Sequence, residues 1–326
     1  MAYGDDSCGA LEVTNLSAQA GRPFTVPPLM VITPRPFGQV LSDAVNSLGR
    51  IWKTVLMPAL AASVPVGITT AVVFRVTGGS DFLELILNTP ENLAGLPNDV
   101  FWELARPFYI ALAVATVLQV VAGVFIALAS HGAVAADLRG ESPSGADVSR
   151  LALRRYAVGL GATVLIVLAV ALLIGVGTAF WLMPAISVGT PNLGSLFVAL
   201  LLLVALLGPG VWVAVSLSMA SSTIAIEGQG VLGSIRRSMR LVRGRWWATA
   251  GFLMLVGLLG GIAIQLIQLI ALPLAAIGGG GGALTIASAL GVLTQGLLVA
   301  AIAAMYTHWY VDLRARRETL TTSDLG

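Results

Sequence analysis

The chain has 326 residues, of which 57% are hydrophobic and only 10% charged, with a mean hydropathy of +0.90. That balance excludes an ordinary soluble domain and predicts an all-α, polytopic membrane protein. A net charge of +2 implies no nucleic-acid partner, and the single cysteine, Cys8, leaves no basis for a disulfide framework, a thiolate metal site or a cofactor built on one.

Residues 1–35 are rich in Pro and small polar residues and lack a basic segment followed by an apolar core. No signal peptide is expected, and this part is read as a flexible tail. The membrane domain then occupies 36–318, and 319–326 form a short C-terminal tail. Six windows hold the run of about 20 apolar residues that a bilayer core requires: 54–75, 107–130, 157–183, 195–226, 247–277 and 283–311. The fourth contains Gly208-Pro209-Gly210, where a missing backbone donor and a flexible backbone predict a kink or break. The fifth and sixth are joined by the glycine run 278–282.

Basic residues mark the cytoplasmic ends of spans. Arg35, Arg50 and Lys53 precede the first span, Arg139, Arg150, Arg154 and Arg155 follow the second, five arginines follow the fourth, and Arg314, Arg316 and Arg317 follow the sixth. The loop between spans one and two carries Asp81, Glu84, Glu91, Asp99 and Glu103 instead, as solvated surface or part of a short outer helix. Both termini are therefore expected in the cytoplasm, with the protein in the plasma (inner) membrane.

Three basic-side stretches have helical apolar spacing: Phe37–Trp52, Pro143–Tyr156 and Leu232–Trp246, each ending in an aromatic residue suited to the interface. The predicted architecture is six spans in three hairpins, each preceded by a cytoplasmic amphipathic helix. This gives a three-unit repeat over about 37–139, 143–227 and 230–314. Asp137-Leu138-Arg139 and Asp312-Leu313-Arg314 close the first and third units, and Ile226-Glu227-Gly228 closes the second.

The segment 226–259, "IEGQGVLGSIRRSMRLVRGRWWATAGFLMLVGLL", the closing "YVDLRARRE" and the entry "RPFGQVLSDAVNSL" resemble actinobacterial integral membrane proteins similar to the glycerophosphoryl diester phosphodiesterase membrane domain. The resemblance covers roughly Pro34–Glu318 and implies the membrane part alone. The phosphodiesterase activity is not carried over.

The chemical inventory is sparse. There is no P-loop, GxSxG, HExxH or His/carboxylate cluster, so no catalytic residue is assigned. No Asp, Glu, Lys or Arg lies deep in any window, which weakens an ion-coupled transporter. His131 and His308 are expected as interfacial residues rather than a metal pair, and no metal ligand is assigned.

The cluster Arg236, Arg237, Arg240, Arg243 and Arg245 reads either as a topology signal with snorkelling anchors or as a site for anionic lipid or an acidic partner. Among intramembrane polar residues, Gln119, Gln265, Gln268 and Gln295 stand out; they read first as interhelical contacts. Gly257 and Gly261 form a GxxxG pair that predicts a close helix contact. The leading expectation is a non-enzymatic membrane scaffold or accessory subunit that engages anionic lipid or a protein partner through its arginines. The alternative is a permease-like protein for lipidic or neutral solutes, with Pro209, Gln265, Gln268 and Gln295 along the path.

Overall fold

A computed structural model describes residues 31–88, 96–187, 193–277 and 281–325. The described chain is almost wholly helical: α1 (Phe37–Thr77), α2 (Gly79–Asn88), α3 (Asn98–Leu138), α4 (Gly145–Ser187), α5 (Leu193–Leu217), α6 (Ala220–Glu227), α7 (Val231–Val242), α8 (Trp246–Ile277) and α9 (Gly281–Ala315). A two-residue strand, β1 (Val31–Ile32), pairs antiparallel with β2 (Leu320–Thr321). Among the described residues, six stretches are long and apolar enough to cross a membrane.

Helix α1 runs for 41 residues, about 60 Å and twice a bilayer core. The first amphipathic stretch is therefore no separate element but the same helix continued beyond the span. Pro143–Tyr156 behaves likewise, since α4 begins at Gly145 and runs on without interruption. Only the third stretch stands apart, as α7. The reason is local: Gly228 (φ 67°) and Gly244 (φ 89°) adopt the left-handed conformation on either side of it, whereas Gly140 (φ 76°) only precedes the second stretch and no such residue separates the first or second stretch from the span that follows.

Of the kink or break expected at Gly208-Pro209-Gly210, the break is corrected, because α5 is helical through Pro209 and ends at Leu217. The interruption falls at Ser218-Met219, where α7 holds it. Ser238 Oγ donates to Ser216 O at 2.8 Å and accepts the Met219 N–H at 3.2 Å. Those backbone groups are thereby satisfied inside the protein, which is the condition for irregular backbone at such a place.

Helix α1 packs on α3 and most extensively on α9; α4 packs on α3 and α5, and α8 on α9. Small residues permit the close approach. Ala59, Ser63, Gly67 and Ala71 recur every fourth position on the buried face of α1, and Gly296, Ala300 and Ala304 do so on α9. A Cβ built on Gly296 would lie 1.8 Å from Ser63 Oγ. By contrast, a Cβ on Gly257 or Gly261 would meet nothing within 4 Å, so this GxxxG pair makes no close contact among the described residues. The reason is its place on a face of α8 turned away from the bundle.

The loop between spans one and two holds the short helix α2, whose Phe82 packs against Phe101 and Phe108. At the opposite end the C-terminal segment is not a loose tail. Leu320 and Leu325 are buried, and Arg139 Nη1 donates to Leu325 O at 2.8 Å.

Candidate functional site: an arginine groove and a mid-bundle cavity

The polar groups concentrate where α1, α3, α6, α7 and α9 meet. Asp137 accepts two hydrogen bonds from Arg50, at 3.1 and 2.7 Å, and one from Ser47 at 2.7 Å. Asp312 accepts the Arg35 N–H at 2.8 Å and pairs with Arg316 at 2.7 Å. Thus each Asp-Leu-Arg closes a helix by catching α1 or the segment just before it.

Glu227, at the end of α6, forms a second hub. It pairs with Arg237 at 3.1 Å and Arg314 at 3.4 Å and accepts a hydrogen bond from the buried Tyr310 hydroxyl. Glu318 joins the same cluster at 2.5 Å from Arg237 and 3.4 Å from Arg314. The hydrogen bond from Arg237 holds the Glu318 carboxyl below its ordinary value, and that bond and both carboxylates raise the Arg237 guanidinium. Arg155 caps the same helix by donating to the carbonyls of Ile224 and Ala225.

These contacts divide the arginine cluster of α7. Ser234, Ser238 and Leu241 face inward, and Arg237 is committed to two carboxylates, so it takes no part in an open site. Arg236, Arg240 and Arg243 fall on another face at the i, i+4, i+7 spacing and make no ion pair among the described residues. With Trp212, Ser216, Met239, Gly244 and Trp246 they line a groove of about 930 Å³. Trp246 Nε1 approaches Trp212 O at 3.5 Å. Arg245 is exposed outside this groove. Trp212 and Ser216 were not singled out by sequence reasoning; their position four apart at the end of α5, ahead of a basic helix, is the signal that marks them.

The proposed polar path is not assembled as predicted. Of its described members Gln295 lines the mid-bundle cavity, about 510 Å³ between α3, α4, α5, α6 and α9, together with Gln119, Thr116, Thr163, Ser218 and Ser221. Pro209 is exposed and lies outside its lining. Gln265 instead faces a shallow groove with Gly257 and Gly261 along α8 alone. The side chain of Gln268 lies outside the described residues.

Both histidines are buried within the protein. His131 lies 2.7 Å from Thr307 Oγ1 and 3.0 Å from Ser221 Oγ, and His308 follows Thr307 in sequence. Among the described residues no group of His, Cys, Asp and Glu forms a metal site.

This architecture defines the class: a multi-pass helical membrane protein whose ion pairs, among the described residues, lie at one end of the bundle. The chain belongs to the family described as "Domain of unknown function (DUF7847)", whose model matches residues 30–313. The search of curated proteins and the search of solved structures each found no match.

Proposed function

We propose that the protein is a non-enzymatic membrane scaffold or accessory subunit of the plasma membrane that holds anionic lipid in the arginine groove. In this reading the three span pairs form hairpins, both termini face the cytoplasm, and the resemblance to the glycerophosphoryl diester phosphodiesterase membrane domain concerns the membrane part only. The observation that carries it is the set of three guanidinium groups, Arg236, Arg240 and Arg243, without carboxylate partners among the described residues and flanked by two tryptophans. Guanidinium groups bind phosphate oxygens through charge-assisted hydrogen bonds, and tryptophan favours the headgroup level.

Each basic residue at an anionic leaflet contributes about 1 kcal/mol, so three give about 3 kcal/mol, or roughly 150-fold in affinity. The test is a triple Gln variant at these positions in nanodiscs containing phosphatidylglycerol, read by native mass spectrometry for retained lipid. Loss of retention on that scale supports the groove; retention equal to wild type refutes it. Arg237→Gln belongs in a separate variant, because it opens the Glu227 and Glu318 cluster.

A second reading, passage of neutral or lipidic solutes, draws support from the uncharged, partly polar cavity between the helices. Flux of a neutral solute into proteoliposomes, absent from empty vesicles, tests it.

A further inference from the structure

We infer that the mid-bundle cavity is a binding site for an uncharged, hydroxyl-bearing lipid of the diacylglycerol type. This concerns occupancy and rests on neither the groove nor transport.

The depth of the site comes from α1. Lys53 and Arg75 bracket its apolar part, about 33 Å by helical rise, which matches a bilayer core. Ser63 and Val66 lie near the middle of that interval, and they share a small cavity of about 30 Å³ with Gln119 and Gln295. The same two amides also line the larger cavity. Both are therefore near the bilayer midplane and border both spaces.

Neither amide has a hydrogen-bond partner among the described residues. An amide moved from water to an apolar medium without a partner costs roughly 2–7 kcal/mol, which favours an occupant that can both donate and accept. A hydroxyl does both, and so does a glycerol ester with a free hydroxyl. Charge is disfavoured, because none of the lining residues is ionisable and an unpaired charge at this depth is expensive.

The cavity's shape indicates the route. Thr116, Ala214 and Gln295 are exposed at its rim, whereas Val124, Leu128 and Ala162 are buried at its back. With the spans in a bilayer, that rim faces acyl chains, so the occupant enters laterally. Further along, Ser221 lines the wall with its hydroxyl held against His131, whose other ring nitrogen meets Thr307. A hydroxyl anchored in this way is a fixed polar contact. The volume, about 510 Å³, is within the range of about 300–1,000 Å³ usual for small-molecule sites and suits the glycerol head of such a lipid, with the acyl chains extending through the open rim.

The experiment places the full chain in phosphatidylcholine nanodiscs containing dioleoylglycerol and phosphatidylglycerol, and native mass spectrometry reads both retained lipids. Wild type is compared with Q119L/Q295L, which removes the amides, and with G123L. Gly123 lines the cavity and a Cβ there meets nothing within 4 Å, so G123L plugs the space and leaves both amides intact. Both variants should lose dioleoylglycerol at least about tenfold, a 1.4 kcal/mol change, while phosphatidylglycerol retention stays at the wild-type level. Equal dioleoylglycerol retention in wild type and G123L overturns the site. Loss of phosphatidylglycerol in G123L overturns the assignment to a neutral lipid. Since the arginine groove is read by phosphatidylglycerol and the cavity by dioleoylglycerol, failure of one is distinguishable from failure of the other.

Discussion

Replacing Gly296 by alanine should destabilise the bundle, whereas the same change at Gly261 should not. A Cβ at Gly296 would stand 1.8 Å from Ser63 Oγ and 3.0 Å from Ser63 Cβ, against a limit near 3.0 Å below which real Cβ contacts are essentially never seen. Either the hydroxyl rotates away or α1 and α9 separate by over an ångström. Rotation alone leaves the Cβ pair at its limit, and Ser63 is buried at 2% exposure, so part of the strain remains. Overpacking of this kind costs about 1–3 kcal/mol.

At Gly261 the new methyl meets open space. Both substitutions share the gain in helix propensity, up to about 1 kcal/mol, so the difference between the two variants isolates the packing cost. SDS titration of the purified protein in mixed micelles, followed by far-UV circular dichroism, measures it. The expected gap is about 1–3 kcal/mol, and S63G/G296A should recover most of it. Unfolding of G296A that superimposes on G261A, or a double variant no better than G296A, would refute the close approach of α1 and α9.

The ion cluster and the C-terminus give further expectations. Glu227→Ala strips the Tyr310 hydroxyl of its acceptor and should cost about 1–3 kcal/mol, with little added from the arginines because Glu318 retains both; Tyr310→Phe in the same background should cost almost nothing more. Glu318 is held below its ordinary value of 4.5 by Arg237, with Arg314 adding to it. Its stabilising contribution is thus complete above pH 4.5 and is lost as pH falls through the lower, folded value. Thermal unfolding across that range should show a drop that is smaller in E318Q. Leu325→Ala, at a side chain with 0% exposure, should cost about 2–5 kcal/mol; equal unfolding to wild type would mean that the segment is not docked.

The six apolar stretches were legible because each must match a bilayer on its own, without reference to a neighbour. The helix ends marked by Asp137 and Asp312 were legible for the same local reason. Which groups those carboxylates catch was not, since Arg35 and Asp312 are 277 residues apart. The break at Ser218-Met219 escaped because Ser238, from another helix, determines it. Pro209 was a louder local signal and proved compatible with a continuous helix, as proline often is within membrane spans.

Glycine spacing misled for a related reason. Gly257 and Gly261 have the familiar pattern but face away from the bundle, while Gly296, Ala300 and Ala304 carry the contact with the less conspicuous small-residue form of it. Helical spacing alone puts Arg236, Arg240 and Arg243 on one face of α7, but the engagement of Arg237 was not legible, because its partners Glu227 and Glu318 come from other segments.

The pairing of β1 with β2 gives the fold an order of completion. Val31 meets Thr321 and Ile32 meets Leu320, so during synthesis the first of these partners waits until every span has been threaded into the bilayer. Arg35 likewise waits for Asp312, and Arg139 for the Leu325 carbonyl. A ribosome that stops early leaves those groups without their mates and the end of α3 without its cover. The junction thus closes only after residues 320–325 have been made and have reached the ends of α1 and α3.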